Sequence, residues 1–218
     1  MKKIFYLIGL IINSLLFIQC ETKDETKIKY NYVDLGLSVK WATCNIGAQK
    51  PEKSGNYFAW GEVQTKEFYN WDTYKYGTEK NLTKYNSFDK KNILDLEDDA
   101  AAVNWGENWR IPTFEEQKEL IDNCTWTFTT LNGIKGYKVT SKIAGYTNCS
   151  IFLPFTGYMY DNQICVADDC SYYISSTLDT NEDGVSYLLF ISQQGDQNYV
   201  HIGSHVRSMG TNIRPVCP

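Results

Sequence analysis

Histidine is nearly absent from this chain of 218 residues, and proline and methionine are scarce. The two histidines, His201 and His205, leave little room for a histidine-rich metal site or for a Ser-His-Asp triad. Their segment, His-Ile-Gly-Ser-His, is not the His-Glu-x-x-His helix motif of zinc hydrolases, and no Cys-x-x-Cys occurs. A zinc enzyme and a serine hydrolase are therefore not expected, and the imidazoles are interpreted as surface groups.

Positive charge is also in short supply. The chain carries 21 Lys and Arg against 26 Asp and Glu, which gives a formal net charge of −5. A nucleic-acid partner is not expected, because such proteins need a basic face to neutralise phosphates. Aromatic residues, in contrast, are abundant at 15% of the chain, with 16 tyrosines. This composition excludes a disordered chain and favours short strands joined by turns.

The one long apolar run lies at the N-terminus, over residues 4–18, after Lys2 and Lys3. It is too short for a membrane-spanning helix, which needs about 20 apolar residues, and it is typical of a signal peptide. Cys20 follows the run and resembles the lipidated cysteine of a bacterial lipobox, although Gln19 stands where a small residue is usual. We predict a lipoprotein signal peptide over 1–19 and lipidation of Cys20. The alternative is an ordinary secreted protein with a spare cysteine.

Residues 20–29 are polar and charged and are interpreted as a flexible tether. The acidic residues just after Cys20 resemble the surface-export signal of Bacteroidota lipoproteins. We therefore expect an outer membrane lipoprotein, exposed at the cell surface and held to the membrane through its N-terminal lipid anchor. The alternative is plain linker composition.

The remaining chain, residues 30–218, reads as one α+β domain with two early helices and a β-rich second half. A short helix is predicted over 96–103, and the capping box Thr113-Phe-Glu-Glu116 predicts a second helix ending near Asn123. The Asn132-Gly133 pair predicts a hairpin between strands over 124–130 and 136–141. Residues 187–191 are apolar on both faces and predict a central strand. Residues 64–92 are interpreted as a long surface excursion. Further strands are predicted over 37–44, 55–63, 150–158, 171–176, 199–202 and 212–217.

Three stretches, residues 32–48, 108–116 and 212–216, resemble the Fibrobacter succinogenes major paralogous domain. That domain is similar to the C-type-lectin-like group, which includes the formylglycine-generating enzymes. The resemblance implies a C-type-lectin-like fold: two short helices, a twisted antiparallel sheet and paired chain ends. Within it, Arg110 and Arg214 are interpreted as structural, because an arginine fork ties loop carbonyls or a carboxylate.

The enzyme hypothesis is sharpest for formylglycine generation, which resemblance alone suggests. That chemistry uses two cysteines close to the C-terminal Arg-containing strand, yet no cysteine lies between Phe190 and Pro215. No carboxylate pair is singled out for glycosidase work either. The sequence therefore predicts a protein that is not an enzyme and that needs no cofactor.

Asp179, Asn181 and Asp183 are candidate calcium ligands, because they alternate before Gly184 as in the first half of a calcium loop. The twelfth position of that loop is Phe190 instead of a bidentate Glu, so a polar turn is the better interpretation. The Glu-Pro-Asn and Gln-Pro-Asp triplets of calcium-dependent sugar lectins are absent.

Six cysteines follow Cys20, an even number that suits an oxidising compartment and allows 15 pairings. Cys165 and Cys170 enclose four residues, so a disulfide between them would pin a loop. A second candidate disulfide joins Cys44 and Cys217, because the resembled fold brings the first and last strands together.

These observations together predict a binding module for an extracellular glycan or protein. Loops rich in Tyr, Trp and Asn supply rigid contact area and adaptable hydrogen bonds. Two other roles remain open: a structural or assembly component of a surface filament, and a component of a polysaccharide-uptake complex. The first candidate ligand surface is the polar stretch 193–209, with the residues Asn198, Tyr199, His201, His205 and Arg207. The second candidate ligand surface is the excursion around Tyr69, Trp71 and Tyr74.

Overall fold

The computed structural model describes residues 30–106, 108–182 and 184–218. The predicted signal peptide, Cys20, the tether and Asp183 lie outside the described residues. Within the described ranges, strands and bridges make up 41% of the residues and helices make up 10%. No helix in these ranges is both long and apolar enough to cross a bilayer.

Short strands dominate the order of elements along the chain. The first half contains β1 (Tyr32–Val33), β2 (Lys40–Ala42), β3 (Gly77–Thr78), β4 (Asn81–Leu82), a 3-10 turn (Leu96–Asp98), α1 (Ala100–Trp105) and α2 (Phe114–Asn123). The second half contains β5 (Cys124–Leu131), β6 (Ile134–Ser141), β7 (Ser150–Pro154), β8 (Tyr158–Tyr160), β9 (Gln163–Cys165), β10 (Cys170–Leu178), β11 (Val185–Gln194), β12 (Gln197–Val206) and β13 (Val216–Cys217).

The predicted α+β, C-type-lectin-like fold with one twisted antiparallel sheet is wrong for this chain. The described strands form five small sheets, ordered β1-β2-β13, β3-β4, β5-β6-β7, β8-β9 and β10-β11-β12, and the two α-helices are short. The architecture is therefore mainly β. Some predicted strands are fixed by single bridges and side-chain bonds instead of ladders. Residues 55–63, for example, form only the bridge Phe58↔Thr211, while the Trp60 indole donates to the Ser175 carbonyl.

The two ends of the described chain pair, as the resemblance implied. Strand β13 lies antiparallel to β2, with Val216 opposite Trp41, and Val216 also bridges Arg110. The Arg214 side chain is buried and donates to the carbonyls of Ala42 and Thr43 at 3.2 and 3.0 Å. The structural role predicted for Arg214 is confirmed.

Helix α2 begins with the predicted capping box. The Thr113 hydroxyl accepts from the Glu116 backbone N–H, and the Glu116 carboxylate accepts from the Thr113 N–H. Arg110 donates both arms of its fork to the same carboxylate, which confirms its structural role. The buried Gln117 amide donates to the carbonyls of Tyr173 and Ile174, and these bonds join the helix to β10.

Two further predictions of local structure are confirmed. The β5–β6 hairpin turns at Asn132 and Gly133, which have φ values of 49° and 84°, as a two-residue turn of this type requires. Strand β11 is the central strand of its sheet, between β10 and β12.

Residues 64–92 lie mostly at the surface, as predicted, but four of their tyrosines point into the core. Tyr69, Tyr74, Tyr76 and Tyr85 are buried against the aromatic core around Trp60. Their hydroxyls are satisfied inside the protein: Tyr69 donates to the Tyr57 carbonyl at 2.6 Å, and Tyr74 donates to the Trp60 carbonyl at 2.9 Å. Because tyrosine carries a polar group on a large apolar ring, it enters a core wherever a carbonyl is within reach.

Candidate functional site

Three of the predicted ligand residues lie on one face of the β10-β11-β12 sheet. Tyr199, His201 and His205 alternate along β12 with Val200 and Ile202, which pack into the core cluster beneath the sheet. Since side chains of a strand alternate between faces, the first three share the opposite face. Asn198 is exposed, and its amide donates to the Trp126 carbonyl at 3.4 Å.

This face carries a packed series of rings that we call the imidazole face: Tyr158, Tyr172, Phe190, His201 and His205. Tyr172 lies 5.0 Å from Tyr158, 5.2 Å from His205 and 5.1 Å from Phe190 between ring centroids. The Phe190 ring lies 5.1 Å from His201. The rings fill the space between one another, and burial lowers the pKa of His205. The rings therefore cover one another, and His201 and His205, about 13 Å apart along the strand, do not share a metal.

The prediction that Arg207 faces a ligand is wrong. Its side chain is 1% exposed, because the chain turns inward after β12, where the Arg207 N–H donates to the Gly184 carbonyl. The guanidinium lies 5.4 Å from the centre of the Trp60 ring and donates to the Tyr85 carbonyl at 3.0 Å. Arg207 is part of the core.

A groove with a volume of about 500 Å³ opens beside β8 and the end of β12. We call it the aromatic groove. Tyr160 is the most exposed of its aromatic rings, with 47% of its surface open to solvent, and Trp71 is half-buried. Its lining residues are Asn70, Trp71, Asp72, Tyr160, Asp161, Val206, Ser208 and Met209.

Backbone bridges along the edge of β8 that faces away from β9 fix the walls of the aromatic groove. Tyr69 and Asp161 exchange N–H···O bonds of 2.8 and 3.0 Å, and Met159 and Gly210 exchange bonds of 2.7 and 3.0 Å. Gly210 is required at this crossing, because a Cβ there would lie 2.7 Å from the Tyr69 ring. The β8–β9 turn places Asp161 at φ 48°, in the left-handed region that Asp tolerates.

The opposite wall is held by the side chain of Asn70. Its carbonyl oxygen accepts from the N–H groups of Asp72 and Thr73 at 3.0 and 3.2 Å, and its amide donates to the Asp161 carboxylate. The Trp71 ring packs edge-on against Tyr74, with centroids 5.3 Å apart. The two walls are therefore joined directly and the groove is formed before any ligand binds.

The chemistry of the lining favours a neutral ligand rich in hydroxyl groups. Tyr160 and Trp71 offer ring faces, while Asp72, Asp161 and Asn70 offer acceptors and donors between them. No Lys, Arg or His lines the groove in the described residues, so an anion would meet uncompensated carboxylates. Of the second predicted surface, only Trp71 lines the groove. The sequence indicated Trp71 but missed Tyr160, whose exposure on a three-residue strand has no local signal.

A cluster of acidic side chains, Asp95, Glu97 and Asp98, brings carboxylates together near the 3-10 turn. The Lys84 ammonium occupies its centre, with contacts of 3.0 Å to Asp95, 3.0 Å to Glu97 and 2.5 Å to Asp98. Burial opposes the Asp98 charge, but hydrogen bonds led by that from Lys84 hold the pKa of its carboxyl well below its usual value. The cluster is satisfied by lysine instead of a metal ion.

The calcium candidates behave as a polar turn. The Asp179 carboxylate accepts from the backbone N–H and the side-chain amide of Asn181, at 3.0 and 2.9 Å. The Tyr187 hydroxyl donates to the same oxygen at 3.2 Å. Hydrogen bonds within the turn therefore satisfy this carboxylate oxygen, as in an ordinary polar turn.

The structure forms neither predicted disulfide: all six described cysteines are free thiols. Backbone bonds from Ala42 to Pro215 and from Ile46 to Ile213 place Cys44 beside residue 214, three residues before Cys217. Cys165 pairs with Tyr158, while the Cys170 carbonyl accepts from Gly157, so these two cysteines flank one segment without bonding. Burial raises the pKa of the Cys170 thiol to about 11.

No family model, curated protein or solved structure matches the chain. The resemblance to the Fibrobacter succinogenes major paralogous domain therefore remains a prediction from the sequence, and the aromatic groove is judged on its own geometry.

Proposed function

We propose that this protein is a non-catalytic, surface-anchored lipoprotein whose folded domain binds an extracellular glycan in the aromatic groove. The observation that carries the proposal is the placement of exposed Tyr160 and half-buried Trp71 around a groove whose polar groups are amide and carboxylate oxygens. Sugar rings present apolar C–H faces and equatorial hydroxyls, and this combination of rings and hydrogen-bonding groups complements both.

Preorganisation supports binding of such a ligand. Asn70, Asp161 and the two backbone bridges fix the walls, so little conformational entropy is lost when a ligand enters. A glycan, with hydroxyl groups on every ring, offers donors to Asp72 and Asp161. A protein ligand fits less well, because besides the two rings the apolar lining consists only of Val206 and Met209, which is little for the core of a protein interface.

The lining of the groove in the described chain supports the non-catalytic part of the proposal. No histidine, lysine or cysteine is present there, and Asp161 is engaged by Asn70. A lining with two carboxylates on rigid walls and no basic side chain is suited to accepting hydrogen bonds from hydroxyl groups. Incubation with a bound glycan should leave its mass unchanged.

A glycan array probed with the purified protein tests the proposal, followed by affinity measurements with the strongest ligand. Tyr160→Ala should weaken binding at least tenfold, which corresponds to about 1.4 kcal/mol, because it removes one ring face. Tyr32→Ala is the matched control: that tyrosine is 42% exposed but lies on β1, outside the groove. Equal affinities for the two variants, or an array without any ligand, would refute the proposal.

A further inference from the structure

The sheet β10-β11-β12 has one covered edge and one open edge. On the β10 side, Asn212 exchanges backbone bonds with Tyr172 and Ile174, at 3.2 and 3.1 Å. A bulge between Ile174 and Leu178 further interrupts that edge. On the β12 side, the described residues make no backbone hydrogen bond to positions 200–204 apart from the β11 ladder.

The register shows which groups of β12 face outward. The Tyr172 carbonyl accepts from the Asn212 N–H and therefore points away from β11. Phe190, which lies opposite Tyr172 on β11, therefore directs its backbone N–H and C=O groups towards β12, where it lies opposite His201. In an antiparallel ladder the bonding direction alternates from residue to residue. The N–H and C=O groups of Val200, Ile202 and Ser204 therefore point to the open edge.

Strand β12 lacks the features that normally protect an edge from pairing. Residues 197–206 contain no Lys, Arg, Asp, Glu or Pro. The strand pairs with β11 over ten consecutive positions without a shift in register, so no bulge turns it away. Natural edge strands are usually protected by charge, proline, a bulge or a covering segment. A long, regular and uncharged edge is a template for another strand.

We propose that β12 pairs with β12 of a second copy of this chain, antiparallel and centred on Ile202, which joins two three-stranded sheets into one. This register matches outward-facing positions: Val200 lies opposite Ser204 of the second copy, and Ile202 lies opposite itself. The proposal does not depend on the function of the aromatic groove.

The same register makes the strand complementary to itself on the imidazole face. His201 lies opposite Gly203 of the second copy, which has no side chain, and an added Cβ at Gly203 would meet nothing closer than 4.0 Å. Tyr199 lies opposite His205 of the second copy, a favourable cross-strand ring pair. No like charges are brought together at neutral pH, and the two-fold arrangement closes as a dimer.

Sedimentation velocity of the purified full chain in mild detergent tests the proposal across about 1–100 µM protein, the range for a small interface. A reversible dimer is expected. Ser204→Pro should weaken dimerisation at least tenfold, because proline removes an outward N–H, and it should leave the β11 ladder intact. Ser204→Ala is the matched control and should dimerise like the parent chain. A monomer at every concentration, or an unaffected Ser204→Pro dimer, would overturn the proposal.

Amide hydrogen exchange of the parent chain decides the matter even if Ser204→Pro fails to fold. The amides of Val200, Ile202 and Ser204 should become more protected as the protein concentration rises, whereas those of His201 and Gly203 should be protected throughout. New protection on β5 instead would place the interface elsewhere and overturn the proposal.

Discussion

Replacing Arg207 should destabilise the domain instead of weakening ligand binding directly, since this side chain is 1% exposed. Arg207→Ala removes a charged hydrogen bond to the Tyr85 carbonyl, worth about 1.5–3 kcal/mol, and a buried contact with the Trp60 ring, worth about 2 kcal/mol. It also leaves a cavity where the side chain packed. Part of this loss is offset, because the variant no longer has to bury a charged group.

We therefore expect Arg207→Ala to lower the free energy of unfolding by about 3 kcal/mol, a fall of about 6–12 °C in Tm for a chain of this size. Urea denaturation followed by tryptophan fluorescence, together with calorimetry, measures both quantities. Arg207→Lys should lose less, because it keeps the charge but not the planar fork. Lys80→Ala, at an exposed position, should be neutral. A Tm within 2 °C of the parent chain for Arg207→Ala would refute the reasoning.

Three further predictions concern stability and reactivity. Burial opposes the Glu116 charge, but hydrogen bonds led by that from Arg110 lower the pKa of its carboxyl. The ionised Glu116 carboxylate therefore stabilises the folded state above about pH 4.5, and this stabilisation is lost as the pH falls through the folded-state pKa. Glu116→Gln should therefore cost about 1–2 kcal/mol at pH 7, by urea denaturation, and the difference should shrink in acid, whereas a pH-independent difference would contradict it. Gly210→Ala should cost about 1–3 kcal/mol in the same assay, because its Cβ would meet the Tyr69 ring, and a neutral result would exclude that close approach. Burial raises the thiol pKa of Cys124 and Cys170 to about 11. Both thiols should therefore be alkylated slowly at pH 8 in the native protein and rapidly after denaturation. Thiols that remain unreactive after denaturation without reductant would instead indicate disulfides.

Local signals in the sequence predicted the elements that short-range chemistry determines. The capping box of α2, the Asn132-Gly133 turn and the central position of β11 each depend on residues within one element or turn. The division into five sheets did not follow from such signals. It depends on bonds between distant residues, such as that from the Trp60 indole to the Ser175 carbonyl, which leave no periodicity in the sequence.

The candidate site was only partly predictable for the same reason. The sequence assigned Tyr199, His201, His205 and Arg207 to one polar stretch, and β12 keeps the first three on one face, but nothing in the sequence showed that the chain turns inward at Arg207. Trp71 and Tyr160 lie far apart in sequence and meet only because Asp161, just after β8, bridges Tyr69. A buried tyrosine and an exposed one look the same in the sequence. They differ only in whether the hydroxyl group has a hydrogen-bond acceptor inside the folded protein.

The most direct test of glycan binding in the aromatic groove is a chemical-shift titration of isotope-labelled protein with the strongest ligand from the array. The amides of Trp71, Asp72, Tyr160 and Asp161 should shift with a common saturation curve, whereas those of Asn198 and Tyr199, at the far end of β12, should not. Shifts confined to Asn198, Tyr199 and His201, with the groove unperturbed, would contradict the account.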